Sequence, residues 1–355
     1  MNKGLNLRKP PKKFFLGVFY VMAVIFMLLL VMHKNPLADQ HSEHLKKICG
    51  CLLLTVGCVL VSFWYDKLTV LPIELWHNRK LIWRLSVNDF KKRYAGSVMG
   101  AVWAMVQPVV TVILYWVVFT KLFPARAAMA GEVEVDYVLF LTAGLVPWFF
   151  FVEALTNGTT ALLEYNYLVK KVLFKISILP LIKIIAAMFI HFFFIGVLLV
   201  MAWFMGYPPS IYWIQLIYYI GCEFILVLSI SYATCALVVF FRDLLQIINI
   251  GIQLLQWYTP ILWSFSDVIA RATKYLTEEG WDIESIRRCE ELIKVFIKIN
   301  PMAYIVDGYR NSIYGQSWFF EHFYSSTYFW MCVVVLFCIG TLLFKRLKPH
   351  FADVL

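Results

Sequence analysis

"ILPLIKIIAAMFIHFFFIGVLLVMAWFM" (residues 178–205) is an apolar stretch interrupted by only two ionisable residues, Lys183 and His191. It exceeds the roughly 20 residues that a helix needs to cross a bilayer. Comparable runs recur along the chain. The first of them, residues 14–32, is longer than the apolar core of a signal peptide, and no small-residue cleavage site follows it. We therefore predict eight retained crossings, at residues 14–32, 47–65, 98–121, 136–160, 178–205, 211–240, 244–265 and 325–344.

Composition leads to the same fold class. Hydrophobic residues make up 61% of the 355 residues and charged residues only 15%, against about half and a quarter in soluble domains. The sequence therefore predicts an all-α polytopic membrane protein. The net charge of +10 is typical of Lys and Arg in cytoplasmic loops and does not indicate nucleic-acid binding. Most of the cysteines lie in apolar runs, which excludes a disulfide framework or a zinc spacing.

The basic segments predict the orientation. Lys and Arg concentrate before the first and third crossings and after the fourth and eighth. Eight crossings with both termini inside place all four segments in the cytoplasm, as the positive-inside rule requires. Two lysines, Lys46 and Lys47, stand where the loop 33–46 meets the second crossing, an exception that a short loop tolerates.

The chain divides into three parts. Residues 1–70 form a transmembrane hairpin, residues 71–97 a basic amphipathic segment, and residues 98–355 the remaining six crossings. Within the last part, the polar interruption 266–300 has apolar residues at helical spacing. We expect it to form a short amphipathic helix on the outer surface.

Missing motifs exclude several functions. The sequence has no P-loop, no G-x-S-x-G and no H-E-x-x-H, so we expect no catalytic residues, no metal and no cofactor bound by this chain. Intramembrane ionisable residues are few, which argues against a proton- or sodium-coupled relay. Energy for uphill transport would have to come from another subunit.

The amphipathic segment is basic on one side and rich in Trp, Leu and Phe on the other. Such a helix lies in the headgroup plane, with its basic side chains facing anionic lipid. Two interpretations stay open. The segment is either a juxtamembrane anchor, or a surface for a cytoplasmic partner or an anionic lipid-linked substrate.

The segment leads into the third crossing through "DFKKRYAGSVMGAVWAMVQP" (residues 89–108). Its two glycines, Gly96 and Gly100, allow the chain to turn into the membrane, and Pro108 can kink the helix.

Polar and aromatic residues recur along the third and seventh crossings. In lipid such groups need partners within the protein, so we expect both stripes to face inward. They form either helix–helix hydrogen bonds or a dimer seam, or a conduit whose aromatic faces and amides suit sugars. The stripe residues are Trp103, Gln107, Thr111 and Tyr115 on the third crossing, and Asn249, Gln253, Trp257, Tyr258 and Trp263 on or next to the seventh.

His191 and Glu223 are equally distant along the chain from Tyr207, in the turn between the fifth and sixth crossings. Antiparallel helices would bring the two side chains to the same depth, and a hydrogen bond between them is our hypothesis. A structural role for this intramembrane pair is favoured over a role in transport. Lys183, one turn into its helix, is expected to snorkel to the interface.

Seven segments occur in a familiar order. The series resembles the membrane subunits of ABC-2-type polysaccharide exporters, the permeases for O-antigen, teichoic acid and capsule precursors, over residues from about 75 to 355. The segments are "LIWRLSVNDFKKRYAGSVMGAVWAMVQP", "GLVPWFFFVEAL", "LVKKVLF…ILPL", "FFRDLLQ", "QWYTPILWS", "INPMAYIVDGYR" and "FKRLKPHFADVL".

The resemblance implies a homodimer of six-helix subunits in the bacterial cytoplasmic membrane, paired with two copies of a separate ABC ATPase that binds ATP. The chain itself would not be an enzyme. Its cargo would be an undecaprenyl-diphosphate-linked glycan or a lipid-linked capsule. The hairpin 1–70 is additional to the six helices of that family.

The resemblance also implies residue roles. The segment 71–97 would be an amphipathic interface helix, and 266–300 would match the family's extracytoplasmic gate helices. The loop Glu164–Ser177 would carry the helix that contacts the ATPase, although Lys175 stands where the family usually has Pro. ATPase contacts would be Leu168, Val169, Lys170, Lys171, Val172 and Phe174, and phosphate contacts would be Arg84, Lys91, Lys92 and Arg93.

Two other classes stay open. One is an ABC-2 exporter of another cargo, such as a drug, lipid or ion. The other is a membrane-embedded glycosyl- or acyltransferase, which needs ionisable groups clustered at one membrane face. The acids Glu153, Glu223 and Asp243 are scattered in sequence, and we expect no such cluster.

Overall fold

The computed structural model describes residues 12–32, 40–93, 95, 99–118, 128–130, 133–169 and 175–354. This part of the chain is almost entirely helical, which confirms the predicted fold class. Its two short strands, β1 (Ala128–Ala130) and β2 (Val133–Val135), pair antiparallel. Five helices in the described ranges are long and apolar enough to cross a membrane, or six if one bent pair counts as a single span. The protein is a multi-pass membrane protein.

The N-terminal hairpin consists of α1 (Lys12–Met32) and α2 (Gln40–Leu68). It packs on a late helix, α14 (Phe323–Leu347), where the rings of Phe26 and Phe323 stack with centroids 6.3 Å apart. After α2 the chain bends by 68° into α3 (Val70–His77) and continues into α4 (Arg79–Arg93). The predicted amphipathic helix is therefore two helices, separated at Asn78.

The core is built from α6 (Tyr137–Glu164), α8 (Leu179–Phe204), α9 (Gln215–Val238) and α14. α6 begins where the Asp136 carboxylate accepts the backbone N–H of Val138, which satisfies a helix-end donor. Most of its side chains are buried, as expected of a helix that is apolar on every side and central in a bundle. Between α6 and α8 lies the short helix α7 (Asn166–Val169).

Two of the eight predicted crossings are short helices. α5 (Trp103–Val117) and α10 (Leu244–Tyr258) have 15 residues each, or about 22 Å at 1.5 Å per residue, against a hydrocarbon core of about 30 Å. The count of eight crossings is therefore not confirmed. α10 ends early because Pro260 follows Thr259, which takes an extended backbone with ψ 136°.

The segment predicted as one amphipathic helix forms two. α11 (Phe265–Glu278) and α12 (Ile283–Lys298) are separated at Gly280, whose φ of +78° favours glycine. We refer to α11 and α12 as the amphipathic hairpin. After it come the buried helix α13 (Pro301–Arg310), α14 and a final turn of helix, α15 (Phe351–Val354).

The bundle has two chemically different ends. α3, α4, the end of α6 and the start of α8 meet at one end, which we call the basic end. The amphipathic hairpin, the start of α6 and the end of α10 meet at the other, which we call the hairpin end.

Candidate functional site

α4 fixes the geometry of the basic end by packing on α8. Ile82, Ser86 and Asp89 recur at helical spacing and are buried on the contact face. The rings of Trp83 and Phe90 meet Phe189 of α8 edge-on, each with centroids 5.5 Å apart. The Lys and Arg side chains of α4 are exposed, so one helix presents an anchored face and a basic face.

A charge cluster lies beneath α4. The Lys183 ammonium is 2.8 Å from Asp89 Oδ1 and 2.6 Å from Glu164 Oε2. Arg93 pairs with Glu153 and lies 3.8 Å from Asp89 Oδ2. The five residues come from α4, α6 and α8, and they combine three carboxylates with two cations. An adjoining cavity of about 260 Å³ is lined by Asn157 and Lys92 as well as members of the cluster.

Tyr165 adds a donor to the cluster. Its hydroxyl donates to Asp89, and its ring lies 5.0 Å from the Lys183 nitrogen. Burial raises the pKa of the Tyr165 hydroxyl above its usual range, and the Asp89 carboxylate raises it further. The hydroxyl therefore stays protonated and keeps donating near neutral pH.

Two expectations from the sequence are wrong here. Lys183 does not extend into solvent, because its side chain is only 7% exposed and pairs with the buried Asp89 and the partly exposed Glu164. The acids are not all scattered either, because Glu153 belongs to the cluster. The sequence signal that we missed is a lysine in an apolar run, since a buried cation needs a paired acid.

The predicted ATPase-contact segment is described only at its two borders. Val169 is buried and Leu168 is half-buried, while Lys170, Lys171, Val172 and Phe174 lie outside the described residues. After the loop, the Ser177 hydroxyl donates to Glu74 Oε2 at 2.6 Å. The Ser177 carbonyl oxygen accepts from Tyr232 at 2.7 Å.

These contacts give the loop two fixed borders. Tyr165 ties the preceding border to α4, and Ser177 ties the following border to α3. A displacement of the loop would therefore act directly on α3 and α4.

The four predicted phosphate contacts fall into two groups. Arg84, Lys91 and Lys92 are exposed on α4. Arg93 is held by Glu153 and Asp89, so much of its charge is already compensated. Of the four predicted contacts, three are therefore exposed cations and one is a paired cation.

The two polar stripes lie on α5 and α10 and next to α10's end. Trp103, Gln107, Gln253 and Trp257 are exposed in the single chain, so the expectation that the stripes face inward, in a seam or a conduit, stays a prediction. The remaining stripe residues, Thr111, Tyr115, Asn249, Tyr258 and Trp263, are half-buried.

The stripes are joined where α5 and α10 end. Gln256 donates to the Tyr115 hydroxyl at 3.2 Å. Tyr258 donates to the Phe296 carbonyl of α12, and Trp263 donates to the Trp257 carbonyl at 3.0 Å. The Thr111 hydroxyl bonds its own helix at Gln107. The far ends of the two stripes are therefore joined to each other, and the end of the α10 stripe also contacts the amphipathic hairpin.

The structure brings His191 and Glu223 together, but not in the hydrogen bond that we hypothesised. Their nearest atoms are 3.7 Å apart, too far for such a bond. Tyr309 of α13 connects them instead, 2.8 Å from His191 Nε2 and 3.4 Å from Glu223 Oε2. The sequence did not suggest this bridge because Tyr309 is distant along the chain from both.

The part of the chain that carries these features matches a known protein family. The family model described as ABC-2 type transporter matches residues 80–277, more than half of the chain. The chain belongs to the ABC-2 type transporter family. In this ABC-2 protein the match begins within α4 and ends within α11, so it contains the charge cluster and both stripes.

Relatives of this ABC-2 chain carry a transport name. Two proteins named O-antigen export system permease protein RfbA, from Klebsiella pneumoniae, are each 26% identical over 269 residues, covering 76% of this chain and 92% of theirs. A protein of the same name from Myxococcus xanthus is 23% identical over 284 residues, covering 79% of this chain and 97% of its own. The predicted resemblance to this family is confirmed.

Proposed function

We propose that the chain is the transmembrane subunit of an ATP-driven ABC transporter that exports a lipid-linked polysaccharide, of the undecaprenyl-diphosphate type, across the bacterial cytoplasmic membrane. The observation that carries the proposal is the likeness to permeases named for O-antigen export over 92–97% of their length. Both termini face the cytoplasm in this proposal, because that orientation puts the basic end on the side where Lys and Arg collect.

The driving partner in this proposal is a separate ABC ATPase, present in two copies that bind ATP. It docks on the end of α7 and the loop between α7 and α8, with contacts at Leu168, Lys170, Lys171, Val172 and Phe174, whereas Val169 is buried and not available for such a contact. Two hydrogen bonds support this proposal, because Tyr165 before the loop is bonded to α4 and Ser177 after the loop is bonded to α3. A push on the loop would therefore reach the helix along which the lipid diphosphate is proposed to bind.

The lipid diphosphate enters along α4. We assign the phosphate contacts to Arg84, Lys91 and Lys92, here the access residues, because they are exposed and charge-assisted contacts to phosphate need available cations. Arg93 takes a different part in this assignment. Its carboxylate partners favour a role in holding α4 against α6.

The glycan passes between two copies of the chain. Exposed Trp and Gln side chains on α5 and α10 suit sugars, because aromatic faces stack on C–H surfaces and amides pair with hydroxyls. A second copy facing the same helices would cover the exposed residues Trp103, Gln107, Gln253 and Trp257, whose polar groups lipid cannot hydrogen-bond. The homodimer and the conduit are thus one proposal.

Two other functions remain candidates. An ABC-2 exporter of another cargo, such as a drug or lipid, differs only in what the stripes contact. A membrane-embedded glycosyl- or acyltransferase is favoured by one observation, the charge cluster. Against it, both cations of the cluster are bound to carboxylates, and the adjoining cavity of about 260 Å³ is below the usual size of ligand pockets.

The test is reconstitution. The chain is purified with an ABC ATPase encoded beside it and placed in vesicles with a radiolabelled lipid-linked glycan. We expect ATP hydrolysis and ATP-dependent movement of the glycan to the far side. Glycan transfer or acylation without ATPase would instead support the transferase, and ATP-dependent movement of other lipids alone would support a different cargo.

The docking assignment has its own variants. Charge reversal at Lys170 and Lys171, or Phe174→Ala, should reduce ATPase binding at least about tenfold, since loss of a few contacts costs over 1.4 kcal/mol. Lys274→Glu, an exposed charge reversal at the hairpin end, is the control and should leave binding intact. Normal ATPase binding by the loop variants would refute the assignment.

A further inference from the structure

Arg310, the last residue of α13, binds the turn between α10 and α11 (residues 259–264). Its Nη1 donates to the Pro260 carbonyl at 2.6 Å and its Nη2 to the Ile261 carbonyl at 2.9 Å. The guanidinium also lies 3.5 Å from the ring centroid of Phe140 on α6. The side chain is 5% exposed. One buried cation of α13 therefore contacts two other elements of the hairpin end, the turn and α6.

The chemistry of this site suits arginine. Its planar fork can bind two neighbouring carbonyls while one face stacks on an aromatic ring, which lysine cannot do. Pro260 interrupts the helical hydrogen-bond pattern in this turn, so the backbone carbonyl groups of the turn need other donors. The nearest carboxylate, Asp307, lies 3.9 Å away and is half exposed. Backbone oxygens thus provide most of the close contacts of the guanidinium.

The same turn is held from two more sides. Asn300 donates to the Thr259 hydroxyl at 2.7 Å, and Tyr137 donates to the Leu262 carbonyl at 2.9 Å. Gly144 of α6 leaves no spare room, because a Cβ there would lie 3.0 Å from Arg310 Nη2 and 3.3 Å from Ile261. The turn is therefore clamped onto α6 and α13 by buried polar contacts.

The turn sets the position of the amphipathic hairpin, since α11 begins directly after it. It also borders the end of the α10 stripe, where Tyr258 bonds the hairpin at Phe296. We propose that Arg310 is a positioning residue that holds the amphipathic hairpin over the end of the α5–α10 stripes, so that cargo release requires this turn to move. This inference rests on the export function proposed above.

Hydrogen–deuterium exchange of the ATPase complex tests the proposal. We expect Arg310→Met to raise amide exchange across residues 259–298 at least about tenfold, because charge-assisted hydrogen bonds are lost. Exchange in α8 and α9 should stay unchanged. Arg310→Lys should give a smaller rise, since it keeps the charge without the fork. Arg287→Met, the same substitution at an exposed site of α12, is the matched control.

Gly144→Ala gives a second, independent perturbation. It keeps Arg310 but crowds the guanidinium, and it should raise exchange over the same residues even if Arg310→Met does not fold. In vesicles, both variants should move more glycan per ATP than the wild type, because the turn is held less tightly and its movement during cargo release is easier.

Two outcomes would overturn the proposal. The first is unchanged amide exchange in residues 259–298 in the folded variants. The second is a uniform rise in exchange that includes α8 and α9, together with a lower melting temperature, which would mean that Arg310 only stabilises the core. If the wild-type complex moves no glycan, the export function fails, but the exchange comparison still tests the role of Arg310.

Discussion

Replacing Lys183 by Met removes a buried charge while keeping a side chain of similar length. Asp89, 8% exposed, then loses its closest cation and keeps Arg93 at 3.8 Å. Removing one partner of a buried ion pair costs about 3–5 kcal/mol. The contact with Glu164, which is 48% exposed, contributes less than about 1 kcal/mol. Because Arg93 compensates in part, we expect the free energy of unfolding to fall by about 3 kcal/mol, the lower end of the buried-pair range.

The assay is reversible unfolding by sodium dodecyl sulfate in mixed micelles, followed by circular dichroism. A double-mutant cycle combines Lys183→Met with Asp89→Asn. Asp89→Asn should cost less than Lys183→Met, because Lys183 keeps Glu164 as a partner. The double variant should be more stable than additivity predicts by about 1–2 kcal/mol, as for residues in direct contact.

An exposed pair supplies the control. Lys274→Met breaks the pair with Glu278, in which both side chains are mostly exposed, and should change the free energy of unfolding by less than about 0.5 kcal/mol. If Lys183→Met had no larger effect than Lys274→Met, or if the cycle were additive, the electrostatic account of the charge cluster would be refuted.

Three further predictions concern the bundle interior, the stripes and α4. Tyr309→Phe removes the hydroxyl that bonds His191 and should lower the free energy of unfolding by about 1–3 kcal/mol in the same titration. Tyr275→Phe, at an exposed tyrosine of α11, is the control, and equal stability of the two variants would contradict a structural role for the bridge. Trp103→Ala and Trp257→Ala should reduce glycan export in vesicles without preventing assembly, and normal export by both would exclude the conduit. Replacing the access residues by Gln should weaken binding to diphosphate-lipid vesicles at low salt and much less at high salt, while an effect independent of salt would argue against phosphate contacts.

Periodicity and length predicted most of the long helices from the sequence. The run 136–160 corresponds to α6, because an N-cap aspartate precedes it and its apolar residues continue for many turns. The run 244–265 does not form one helix. A window of apolar residues takes no account of backbone geometry, and Pro260 ends α10 inside that window.

The candidate sites were predictable where they depend on local pattern. The basic face of α4 follows from helical spacing within one segment. The charge cluster does not, since Lys183 and Asp89 are 94 residues apart and only the packing of α4 on α8 brings them together. For the same reason the sequence identified His191 and Glu223 but not Tyr309, which comes from a third helix.

The hydrogen bond between Ser177 and Glu74 has a consequence for chimeric transporters. Glu74 precedes residue 80, where the match to the family begins. If a chimera is joined at residue 80, the loop proposed to contact the ATPase would therefore lie against a foreign α3, or would have no α3 to contact. Functional exchange between exporters should be more successful when the donor fragment starts before Val70 and carries α3 with it.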